Sequence, residues 1–278
     1  MKKNRKKIKV STVVTQIVCI ILSLIVLIPL YLVLINSFKT KSEAARMLLT
    51  FPKDGWHPEN YLAVIDQANI LQGFFNSLLY AFVATTVGVL FCAMAAFVMS
   101  RKRTQLNNFL YMFFIAGLFF PINYVTLVRV FQWFHLTNTR IGIILTFTSA
   151  MIPFCIFTIY SFVESVPKEL DEAAVIDGAS AVQLFFQVIM PLLKPTLVTC
   201  FILQFMGVWN DFLTPLYLSS KSNLFPMTMS VYQFFGKNLS YWNYVFTDIV
   251  LTIIPVIIVY AIGQKYLISG TTSGAVKQ

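Results

Sequence analysis

The residues of this chain that could do chemistry fall in three places. The segment 164–178 holds Glu164, Glu169, Asp171, Glu172 and Asp177, with Lys168 as its one base, in a chain with only 11 acidic residues. So polar a stretch must reach water. It reads either as a solvated connector or as a docking knob, in which the carboxylates complement basic groups on a partner and Ala173-Ala174 lets that partner come close. The second place is Trp209-Asn210-Asp211, inside an otherwise apolar run. A charge buried in lipid is costly, so Asp211 must face water, a cavity or a partner. An aromatic face beside hydrogen-bonding groups suits a sugar. The same trio also suits the outer end of a membrane helix, with an interfacial Trp and Pro215 close behind. The third is Asp248, read as the carboxylate that opens the last apolar helix and complements its dipole. Gln204, Asn123 and Tyr124 either line a path or bond helices together.

Other chemistry is missing. Cys19, Cys92, Cys155 and Cys200 all lie in apolar runs without a CxxC pair, and there are two histidines, so no metal site is expected and the thiols read as small packing residues. No GxxxxGK[ST] occurs; the one Gly-Lys, Gly236-Lys237, has Val231 where the first glycine should be. The chain is therefore not its own ATPase. Without HExxH, GxSxG or a paired His/carboxylate cluster, no catalytic residue is assigned.

The elements that must position these residues are membrane helices. Of 278 residues, 58% are hydrophobic and 12% charged, with mean hydropathy +0.75. That is about half the charged share of a soluble domain. Runs free of Asp, Glu, Lys and Arg cover Val10–Phe38, Gln67–Ser100, Thr104–Val128 and Ile141–Val163. Tolerating one acid each adds Pro195–Ser220 and Asn238–Gln264. Each can cross a bilayer, and backbone in lipid must bond internally, so these read as six helices rather than a barrel. Pro29, Pro121, Pro153 and Pro255 fall within them as expected kinks. The first run is longer than the apolar core of a signal peptide and lacks a cleavage site, so it reads as an uncleaved span. The organisation expected is a basic tail at 1–9, a six-span domain at 10–268 and a tail at 269–278, with the acidic loop at about 164–195.

The net charge of +10 is placed for topology, not for nucleic acid. Lys2, Lys3, Arg5, Lys6, Lys7 and Lys9 precede the first run, and Arg101-Lys102-Arg103 forms a tight turn after the second. Both clusters favour a cytoplasmic N-terminus, hence both termini inside, with the basic tail against anionic lipid. The acidic loop is then cytoplasmic too. Pro167 and the acids after it suit a helix start. Gly178 stops that helix in a left-handed conformation. Ser180 and Gln183 form a capping box for a second helix, which Pro191 and Pro195 are expected to end before the fifth span.

In this loop, Glu172-Ala173-Ala174-x3-Gly178, nine residues, then Val188-x-Met190-Pro191 resembles the EAA motif of ABC importer permeases. Val188 and Met190 replace the Ile and Leu of the family pattern. Asn36-Ser37-Phe38-Lys39, Phe51-Pro52, Glu59-Asn60-Tyr61, Trp209-Asn210-Asp211-Phe212, Ile254-Pro255 and the tail from Gly270 to Lys277 are similar to the sugar-transporting branch, in particular the second permease of maltose-type systems. The resemblance spans nearly the whole chain.

The resemblance implies an all-α, polytopic membrane subunit in the cytoplasmic membrane of a prokaryote, forming half of a sugar path. It implies a homologous permease, two ATPase subunits and an extracellular solute-binding protein as partners. ATP and Mg would sit on the ATPases; no cofactor is held here. Glu172, Ala173, Ala174, Asp177, Gly178 and Pro191 would couple to the ATPase, and Gly270, Gly274 and Lys277 would reach its interface. Met227 and Met229 near Pro226 would pack an outer loop on the paired permease. Trp209, Asn210 and Asp211 would line the path or gate it. Two rivals stand beside this reading: an ion-gradient carrier, which would want ionisable groups deep in several spans, and a membrane enzyme acting on lipid-linked sugar.

Overall fold

A computed structural model describes the backbone of residues 10–235 and 240–275 and the side chains of residues 14–235 and 240–264. Lys277 lies outside these. In chain order the helices are α1 (Val10–Asn36), α2 (Lys41–Ala44), α3 (Glu59–Gln67), α4 (Ile70–Arg101), α5 (Gln105–Ala116), α6 (Tyr124–Trp133), α7 (Arg140–Ser165), α8 (Glu169–Ile176), α9 (Ala181–Gln183), α10 (Met190–Asn210), α11 (Leu213–Leu218) and α12 (Trp242–Ala275). Among the described residues there is no β-strand, only an isolated bridge between Phe235 and Ser240.

Among the described residues, five helical stretches are long and apolar enough to cross a membrane: Val14–Asn36, Ile70–Arg101, Arg140–Ser165, Ala181–Asn210 and Trp242–Gln264. The expected span Thr104–Val128 is not one helix. It breaks between α5 and α6, each too short to cross a bilayer. Pro121 has no N–H to give and pushes Phe120 away from helical angles. Asn123 then starts a new helix by accepting the Thr126 N–H at 3.1 Å. The expected fifth span is also shifted. Pro191 and Pro195 do not end the preceding helix, because α9 runs through a wide i→i+5 segment, Leu184–Ile189, straight into α10. That looser turn lies just before Pro191, where a missing N–H is least disruptive. The helix then stops at Asn210 instead of Ser220. Asp248 does not open α12, which begins at Trp242; the carboxylate sits past the first turn and is buried.

The chain forms two compact units. The first comprises Met1–Asn69 with Val231–Ile253, the second Ile70–Ser230 with Ile254–Gln278. The first is organised by polar groups. Asn60 donates to the carbonyls of Ser37 at 2.8 Å and Lys39 at 3.0 Å, and accepts from Asn243 at 3.0 Å. Thr247 donates to the Ser37 carbonyl, and the Ser37 and Tyr61 hydroxyls meet at 2.8 Å. Lys39 is buried, its Nζ on Asn36 Oδ1 (3.0 Å) and the Leu48 carbonyl (2.7 Å). Burial lowers its pKa, partly opposed by Glu43. The Asn36–Lys39 and Glu59–Tyr61 motifs of the sequence are thus partners in one network.

The second unit packs α4, α7 and α10 together. α4 buries Gly73, Ser77, Ala81, Ala84, Gly88, Cys92 and Ala96 along one face. Where lipid gives no hydrophobic drive between helices, small residues let backbones approach and gain dispersion contacts. Gly88 shows how close: a Cβ there would collide with Sδ of Met151 on α7. The thiols of Cys92, Cys155 and Cys200, one from each helix, meet in the middle. No cluster of His, Cys, Asp and Glu fit to hold a metal occurs among the described residues.

Candidate functional site

The acidic loop is a rigid elbow made by local chemistry. α8 ends in a left-handed Gly178 at φ +85°, with Gly178 N–H on the Val175 carbonyl (3.0 Å) and Ala179 N–H on the Ala174 carbonyl (2.9 Å). This pair of bonds satisfies carbonyls that a helix end leaves open. Two residues on, Ser180 N–H donates to Gln183 Oε1 (2.8 Å) and Gln183 N–H to Ser180 Oγ (3.3 Å), the reciprocal box expected from the sequence.

A clamp absent from the sequence reading holds the elbow. Arg101, at the end of α4, places Nε 2.6 Å from Asp171 Oδ2 and donates from Nη2 to Oδ1 at 3.3 Å. It also donates to the carbonyls of Val163 (3.3 Å) and Val166 (3.1 Å), where α7 ends. One planar guanidinium, with donors on several edges, thus joins α4, the end of α7 and α8. Its side chain is 10% exposed and that of Asp171 17%. Glu164 is engaged as well, accepting from Ser100 and Arg103. The sequence carries a signal for it, a base at a helix end and an acid in a helix start, but Arg101 within Arg101-Lys102-Arg103 reads there as a topology signal.

Of the five acids, Asp171 and Glu164 therefore serve the chain itself, while Glu169, Glu172 and Asp177 are exposed. The alanine pair also divides: Ala174 is buried and only Ala173 faces out, so the smooth surface expected from both is half as wide. Beside the acids the elbow exposes Val175, Ile176 and Val182, with Ile176 85% exposed. The sequence signal for this apolar ridge is the pair Val175-Ile176 standing among the acids. Pro191 opens α10 behind it.

Trp209, Asn210 and Asp211 stand at a helix break. Trp209 is buried between Phe205 (5.9 Å between centroids, 23°) and Phe74 (5.8 Å, 71°), so its ring is not offered at the surface of this chain. Asn210, the last residue of α10, is exposed. Asp211 Oδ1 accepts the Thr214 N–H at 2.7 Å and starts α11, while its carbonyl accepts from Thr228 Oγ1 at 3.2 Å. That is a capping role. This break is tied to the one between α5 and α6. The Tyr124 hydroxyl meets Thr214 Oγ1 at 3.4 Å, and the Tyr124 ring stacks on Tyr217 at 4.8 Å. In the 117–123 break, Phe119 and Phe120 are both more than three-quarters exposed. Irregular backbone at membrane depth persists only against protein or a water-filled cavity. The tail glycines Gly270 and Gly274 lie within the helical backbone of α12.

Residues 88–273 match the family of binding-protein-dependent transport system inner membrane components. The chain belongs to this family. Among its relatives, the diacetylchitobiose uptake system permease protein NgcG of Streptomyces coelicolor is 34% identical, covering 94% of this chain and 87% of that one. The probable starch degradation products transport system permease protein AmyC of Thermoanaerobacterium thermosulfurigenes is 31% identical, over 98% and 100%. The fold is shared with a bacterial ABC transporter that imports alginate: TM-score 0.81 at 22% identity, covering 96% and 99% of the two chains. As a member of this family the chain is a multi-pass permease subunit of an ABC importer, a transport protein and not an enzyme. Both rivals, the ion-gradient carrier and the enzyme on lipid-linked sugar, are set aside by that membership.

Proposed function

We propose that this permease carries a sugar or oligosaccharide inward, as half of a path completed by a homologous permease and supplied by an extracellular solute-binding protein. The substrates for which its relatives are named, diacetylchitobiose and starch degradation products, support a carbohydrate cargo. Both termini face the cytoplasm, α5 and α6 together make the remaining crossing, and the acidic elbow is the contact to the ATPase that binds ATP and Mg.

The observation that carries this reading is the clamped elbow. Its exposed face combines Glu172, Ala173, Asp177 and the Val175–Ile176 ridge, and its buried face is fastened through Arg101 to α4 and α7. A push on α8 is therefore delivered to two membrane helices as one body. ATP-driven closure of the ATPases draws the two elbows together and opens the path outward; hydrolysis returns it inward. Along the path, Asn210, Asp211 and the Phe119–Phe120 break are the movable parts, with Trp209 as the packed hinge behind them. Gly270, Gly274 and Lys277 are the tail contacts to the ATPase.

The test is sugar uptake and ATP hydrolysis by the reconstituted transporter with Glu172→Lys and Gly178→Leu. Both variants are expected to insert normally and to lose the ATPase or the stimulation of its turnover by loaded binding protein. Full uptake by both would overturn the elbow reading. Sugar captured by the cognate binding protein, identified by mass spectrometry, defines the cargo; capture of a non-carbohydrate would overturn that part separately.

A further inference from the structure

We propose that residues 47–56 form an anchor lying in the lipid interface on the side of the membrane where α1 ends. The surface it offers is apolar and unpartnered. Phe51 is 65% exposed and Trp56 57%, beside exposed Met47, Leu48 and Leu49. Single exposed apolar residues need no explanation, but a run of them in one short loop marks a contact surface.

Its depth is set by bonds to the membrane helix. The Leu48 carbonyl accepts from Nδ2 of Asn36, the last residue of α1, at 3.1 Å, and from Lys39 Nζ at 2.7 Å. The loop closes where it began, with His57 N–H on the Phe38 carbonyl at 2.9 Å. Trp56 packs edge-on against Phe38 at 5.4 Å and lies 6.3 Å from Phe51. The start of α12 is at the same level, since Asn243 bonds Asn60 and Thr247 bonds the Ser37 carbonyl. Two spans thus reach the boundary where the loop is tied, so it cannot project far into water. Trp and Phe beside a span end favour the headgroup region.

The charges point to lipid as the occupant. Arg46 and Lys53 flank the apolar run, are exposed, and have no ion-pair partner among the described residues. Long basic side chains on either side of a buried apolar segment can bend towards phosphates while their stems remain apolar. A binding protein or a second permease would instead cover the aromatic residues with protein. The inference depends on α1 crossing the membrane and not on the cargo.

The experiment places a nitroxide at Leu49→Cys, Phe51→Cys, Trp56→Cys and, as a water-facing reference, Asp54→Cys. Each is made in the assembled transporter with Cys19→Ser and other accessible thiols removed, in phosphatidylglycerol-containing bilayers. The expected result is more collision with oxygen than with a water-soluble nickel chelate at 49, 51 and 56, and the reverse at 54. Positions 51 and 56 that behave like 54 would overturn the anchor in favour of a solvated loop. Immobilised labels inaccessible to both reagents would overturn it in favour of a protein partner. Loss of sugar uptake is not a readout, so failure of the transport reading leaves this result interpretable.

Discussion

The acidic elbow and the junction of broken helices are both turns between helical segments of the same unit, yet they are built in opposite ways. The elbow is specified by residues within a few positions of one another: Gly178 for the left-handed stop, Ser180 and Gln183 for the restart. Only afterwards does Arg101 fasten it to distant helices. The junction has local caps too, at Asn123 and Asp211, but its two breaks are joined across the fold by Tyr124, Thr214 and Tyr217. In the proposed mechanism the elbow transmits force and gains from being stiff within itself. The junction, as the proposed gate, gains from contacts that exchange readily, since neutral hydrogen bonds contribute only about 1 kcal/mol each.

Substitutions can break this contrast. The largest effect is expected for Arg101→Ala, which leaves the Asp171 carboxylate and the Val166 carbonyl without their donor, while the Val163 carbonyl keeps the Val166 N–H. Removing one partner of a largely buried ion pair costs about 3–5 kcal/mol. Thermal unfolding of the purified complex should shift down, and ATP hydrolysis should continue with little uptake; intact coupling would mean the elbow needs no clamp. Next is Gly178→Val. The space around its Cβ is open, so the cost is backbone strain alone, about 1–2 kcal/mol. Gly178→Asn tolerates the left-handed angle and should retain most of the uptake that Val loses, which separates conformation from surface shape.

At the junction, Asp211→Ala should cost about 1 kcal/mol as a lost cap and Asp211→Asn much less. Uptake rates for the pair decide whether the carboxylate matters as a cap or as a charge: an Asn variant as impaired as Ala would point to the charge. The smallest effect is expected from Tyr124→Phe, which removes the 3.4 Å contact to Thr214 and leaves the stack on Tyr217. A change of about 0.5 kcal/mol in unfolding free energy is expected, with uptake nearly unchanged. A larger loss than for Gly178→Val would reverse the contrast.

Much of the elbow was legible because its signals are dense and local: a glycine at a helix end and a serine three residues before a glutamine; the prolines misled, since Pro191 opens α10 where a helix end was expected. Less of the junction was legible. Asp211, Asn210 and Trp209 look alike as a polar patch in an apolar run, but one caps, one is exposed and one is packed between Phe74 and Phe205. The third apolar run was long enough to be a span, and length does not reveal a break when Pro121 is common in membrane helices that continue.

By itself the sequence determined that the chain lives in a bilayer, where its long apolar runs lie, and that the acidic segment folds as two capped helices. Composition, length and next-neighbour capping decide these, and all are properties of short stretches. Tertiary structure alone decided that Arg101 and Asp171 meet across 70 positions of chain, that the small face of α4 receives α7 and α10, and that two helix breaks share one aromatic stack. Such pairings depend on which surfaces become neighbours when helices pack, and no local pattern records that.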